Sequence, residues 1–78
     1  MMLTSLLQSM EQPRKIDLLL KIGRFTSPTL KKAVHLYFVD GYSQLIACLA
    51  TDVKQQQLNK AIKRLNNINQ IVCEINNL

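Results

Sequence analysis

Apolar residues in this 78-residue chain recur at intervals of three and four, and no run of them alternates residue by residue. That period marks one-sided helices, because a helix turns once in ~3.6 residues whereas a strand changes face at every step. The pattern predicts an all-α fold, a small bundle of four to five helices. Leu36 to Val39 is the most strand-like stretch, but it lies inside a better helical pattern.

Turn and cap chemistry divides the pattern. Leu3, Leu6, Leu7 and Met10 have helical spacing and suit either a short helix or an extension docked on a partner. Ser9 to Pro13 is helix-start chemistry, and Ile16, Leu19 and Leu20 then predict a helix over about 12–22, ending near Gly23. Ser27 and Pro28 open the next helix, one as a hydroxyl cap and the other as the first helical residue. Its face is Leu30, Ala33, Val34, Tyr37 and Phe38, and Gly41 stops it. Ser43 caps a short helix over about 43–51, with Ile46, Ala47 and Ala50 as its expected inner positions. A longer helix begins near Lys54 and faces inward through Leu58, Ala61, Ile62 and Leu65. Ile68, Ile71, Val72, Ile75 and Leu78 continue a helical stripe past Asn66-Asn67, in the same helix or a separate one.

A chain this short makes one domain and buries only about 60% of its unfolded surface. Two apolar terminal segments are more than so small a core needs, which points to a homo-oligomer. Ten Lys and Arg against five Asp and Glu give a net charge of +5, and that excess favours nucleic acid or an anionic surface as partner. Cys48 and Cys73 are too few for a secreted disulfide scaffold and read as reduced, partly buried residues. The first ten residues lack a basic leader and a small-residue cleavage site, and no apolar stretch is long enough to span a bilayer, so the expected location is cytoplasmic and nucleoid-associated, with no membrane partner. His35 has no partners at metal-ligand spacing. With two glycines and scattered acids there is no phosphate loop and no acid–base pair. No enzyme, metal, cofactor or small-molecule ligand is expected.

The informative stretch runs from Ser43 to Leu65 and reads as a helix-turn-helix: a short capped helix, a turn and a longer helix. The two helices cross closely, so small residues are needed between them, and Ala47 and Cys48 supply these. The turn wants a residue that tolerates positive φ, and Asp52 does so at modest cost. Val53 plugs the turn into the core. The outer face of the second helix then carries Lys54, Gln55, Gln56, Gln57, Asn59, Lys60, Lys63 and Arg64, with no acid between Val53 and Cys73. Amides can pair with base edges, adenine above all, while Lys and Arg take phosphates. Lys31 and Lys32 on the preceding helix can add backbone contacts. The partner expected from this face is double-stranded DNA. The competing reading is a small helical protein-interaction adaptor that keeps the shape without binding DNA. RNA binding is disfavoured by the lack of an exposed aromatic platform.

The run YFVDGYS (Tyr37 to Ser43), then Ala47-Cys48, Val53 and KRL (Lys63 to Leu65), resembles the PapB/FocB-type regulators of fimbrial adhesin biosynthesis. The resemblance covers Ser27 to Leu65 well and the flanks loosely. It implies a bacterial cytoplasmic transcription regulator of fimbrial operons that binds AT-rich repeated sites as an oligomer. It also implies minor-groove contacts, whereas the amide-to-adenine argument assumes the major groove, so the groove stays open at this point. By position, Ser43 and Gln44 match a Ser-basic pair of that family, and Cys48 matches its Cys; all three join the DNA-binding candidates. Gln44 departs from the basic residue usual there, as do Asp52 from Gly and Ala47 from Val, which marks a divergent member.

Overall fold

The computed structural model describes residues 11–78; the expected segment Leu3 to Met10 lies outside them. Four helices follow in order: α1 Pro13–Ile22, α2 Pro28–Phe38, α3 Gln44–Thr51 and α4 Gln55–Asn76. No strand occurs among the described residues. α1 and α3 each pack on α2 and α4, and they do not touch one another.

The starts and stops follow the local chemistry. The Ser27 hydroxyl accepts from the Leu30 N–H at 3.3 Å, and the Ser43 hydroxyl from the Ile46 N–H at 3.2 Å. Each satisfies a donor that the first turn of a helix leaves without a partner. Gly41 takes φ 80°, a conformation that is cheap only without a Cβ. The end of α1 is built differently from expectation. Gly23 keeps right-handed angles, and it is Arg24 that turns left-handed at φ 57°. The Phe25 N–H reaches back to the Leu20 carbonyl and the Arg24 N–H to Lys21, the paired bonds of a Schellman cap. Gly23 is needed for space: a Cβ there would stand 2.6 Å from Cε1 of Phe25 and 3.0 Å from Cδ1 of Ile68.

The core is drawn from all four helices: Ile16 and Leu20 of α1, Val34 and Phe38 of α2, Ala47 and Cys48 of α3, and Leu58 and Leu65 of α4. Two expectations are corrected here. α3 turns Ala47, Cys48 and Thr51 inward, leaving Ile46 and Ala50 outside. Thr51 is tolerated in the core because its hydroxyl donates to the Ala47 carbonyl at 2.7 Å. The second correction concerns α4, which is one continuous helix whose inner face drifts through Ile68, Asn69 and Val72, so Ile71, Ile75 and Leu78 fall outside it. Both cysteines are free; Cys48 is buried and Cys73 half-buried. No described helix is long and apolar enough to cross a membrane.

Candidate nucleic-acid interface

The connection between α3 and α4 is three residues long, Asp52 to Lys54, and each has a distinct task. Asp52 adopts φ 58°, ψ 29°, the left-handed turn expected of it. Val53 is buried, and its N–H donates to the Cys48 carbonyl at 3.2 Å. Lys54 stands at the N-cap of α4 in extended conformation and offers no side-chain cap. The first N–H groups of α4 therefore gain no side-chain acceptor from the N-cap residue, and no acid lies in its first turn. That leaves a positive dipole end at the helix start.

Burial of Leu58, Ala61, Ile62 and Leu65 fixes the rotation of α4. Gln56, Lys60 and Lys63 then point away from the core, since they lie opposite that face on a 3.6-residue period. Gln55 and Asn59 fall on the flank toward α3. There they line, with Gln56 and Gln44, a cleft of about 260 Å³ whose four lining residues are all amides. Gln57 and Arg64 fall on the opposite flank, lining a separate cleft with Phe25, Leu30, Lys60 and Ala61.

The expected site residues thus divide. Gln44, Gln55, Gln56 and Asn59 come together, with exposed Lys54, Lys60 and Lys63 on the same helix. Ser43 is held at the start of α3 by its capping bond. Cys48 is not on this surface; it packs in the core between helices. Lys31 lines a cleft with Asp17, Lys21, Arg24 and Phe25, apart from the amide group, and Lys32 is exposed on α2.

Arg64 has an internal role that spacing alone did not reveal. Its Nη2 donates to the Gly23 carbonyl at 2.9 Å, and its guanidinium lies 5.5 Å from the centre of the Phe25 ring. It ties α4 to the end of α1, and a guanidinium suits this because it can donate in its plane and stack on its face. His35 Nε2 pairs with Asp17 Oδ1 at 2.7 Å, joining α2 to α1. No group of His, Cys, Asp or Glu that could hold a metal occurs among the described residues.

A family model for the adhesin biosynthesis transcription regulatory protein, PapB, matches residues 2–78, nearly the whole chain. The chain belongs to the PapB family. Membership of PapB extends the resemblance beyond the stretch from Ser27 to Leu65 and makes the chain a member of a family of transcription regulators of adhesin biosynthesis. No curated protein and no solved structure gives a significant match. The amide cleft and the basic face of α4 are therefore interpreted for this PapB-family chain from its own geometry.

Proposed function

We propose that this chain is a cytoplasmic DNA-binding regulator in which α3 and α4 form a helix-turn-helix and the first half of α4 lies on the duplex. The observation that carries the reading is the convergence of Gln44, Gln55, Gln56 and Asn59 in one cleft at the start of a helix that also exposes Lys54, Lys60 and Lys63. Amides supply paired donors and acceptors for base edges, and the lysines supply phosphate contacts. The uncapped N–H groups of α4 add to the attraction for phosphate. The preferred target is AT-rich repeated DNA, bound by more than one copy.

The test is a fluorescence-anisotropy titration on AT-rich and GC-rich duplexes of equal length at two salt concentrations. Tighter, salt-sensitive binding to the AT-rich duplex supports the reading. Equal weak binding reduces it to charge attraction, and no binding at low salt favours the adaptor instead. A duplex of inosine–cytosine pairs separates the grooves. Inosine lacks the guanine amino group of the minor groove but keeps guanine's major-groove edge. Binding that follows the AT pattern on this duplex places the contacts in the minor groove.

A further inference from the structure

The corner between α1 and α2 opens into a cleft of about 390 Å³ whose lining includes Lys21, Arg24 and Lys31. None of the three bases has an ion pair among the described residues. The acid of the cleft, Asp17, is bonded to His35 Nε2 at 2.7 Å. Half-buried Phe25 lines this cleft and also the cleft that holds Gln57 and Lys60 on α4. The corner bases and the basic face of α4 thus meet across one side chain, on the flank of α4 away from the amide cleft. Two of the bases run against local preference. Arg24 holds φ 57°, where glycine is cheapest. Lys31 stands near the start of α2, the positive end of a helix with no acid in its first turn, where an acid would be favoured. Lys21, by contrast, suits the end of α1. Residues that break a local rule are expected at functional sites.

We infer that Lys21, Arg24 and Lys31 form a second contact lobe, which holds the phosphate strand on the far side of the groove from α3. The inference rests on the DNA-binding reading above and extends its footprint to the α1–α2 corner. A duplex groove has a phosphate strand along each side. With α4 on the duplex and the amide cleft toward one strand, the opposite flank and the corner beyond it come to the other. The corner is fixed for this task. Arg64 of α4 donates to the Gly23 carbonyl at 2.9 Å, and the Arg24 and Phe25 N–H groups bond back into α1. The bases therefore keep a set position relative to α4, as a preorganised contact requires. Phosphate contacts fix register and add affinity but carry no base information. The lobe strengthens binding without changing which sequence is preferred.

The experiment compares four full-length chains: the parent, K60Q/K63Q, R24G/K31Q and K21Q/K31Q. Each is checked for native helix content and cooperative unfolding. Anisotropy titrations then use one AT-rich and one GC-rich duplex, both long enough to extend past the footprint of α4, across a series of salt concentrations. Each corner variant is expected to cut the slope of log affinity against log salt by about two units, at ~0.9 per phosphate contact, and to weaken both duplexes alike. R24G/K31Q is expected to do so with a urea midpoint at or above the parent's, because glycine relieves the turn. A corner with only a structural role would not lose binding while keeping stability. Should R24G/K31Q fail to fold, K21Q/K31Q decides, since it leaves the turn untouched. A folded corner variant that keeps the parent's slope overturns the inference, as does one that changes the ratio of AT-rich to GC-rich affinity. If K60Q/K63Q lowers the slope and the corner variants do not, the second lobe fails and the DNA-binding reading stands. A parent that does not bind even at low salt removes both.

Discussion

Arg64 shows how much one side chain's meaning depends on what it faces. As one of four bases in an acid-free stretch it reads as a phosphate contact, yet it donates to the Gly23 carbonyl and stacks on Phe25. Arg64→Lys keeps the charge and loses both the planar fork and the stacking. It is expected to lower stability by about 1.5–3 kcal/mol in urea unfolding, the range for a hydrogen bond involving a charged group. K60Q/K63Q removes charge from exposed positions with no ion pair among the described residues. It is expected to leave the urea midpoint nearly unchanged and to cut the salt slope of DNA binding by about two units, at ~0.9 per phosphate contact. The two outcomes together separate a structural cation from the contacting ones. Asp52 was legible from sequence because a turn must have a left-handed residue and Asp is among the few that accept it. Arg24 was not, because a glycine stands beside it and draws the assignment. With its φ at 57°, Arg24→Gly is expected to raise stability by about 1 kcal/mol in thermal or urea unfolding.

At the level of elements, the four helices were readable because each is bounded by residues with a local job: Pro13, Ser27 with Pro28, Gly41, Ser43 and Asp52. The rotation of α3 was not readable. Six of its eight residues are Leu, Ile, Ala or Cys, so every rotation offers an apolar face and periodicity cannot choose among them. Packing chose the face of small side chains, Ala47, Cys48 and Thr51, which lets α3 approach α2 and α4 closely and turns the larger Leu45, Ile46 and Leu49 outward. The continuity of α4 was likewise undecided, since Asn66-Asn67 only weakly disfavours helix and burial of Leu65 and Asn69 on either side carries the helix through. The bare start of α4 gives a further test. Lys54→Ser supplies a capping hydroxyl and removes a charge at the proposed interface. Stability is expected to rise by about 1 kcal/mol while DNA affinity falls, read by urea unfolding and anisotropy on the same preparation.

At the scale of the whole molecule, sequence could place the basic amide-rich face on one helix but could not place Gln44 beside it, since Gln44 belongs to another element and only the packing of α3 on α4 joins them. Gln44→Ala is expected to weaken binding to AT-rich duplexes by roughly tenfold, within the ~1–3 kcal/mol that a good base contact carries, and to leave GC-rich binding unchanged. The separation of α1 from α3 has a consequence of a different kind. Every route from one to the other runs through α2 or α4, so a push delivered on the α3 side of the molecule reaches α1 only by way of those two helices.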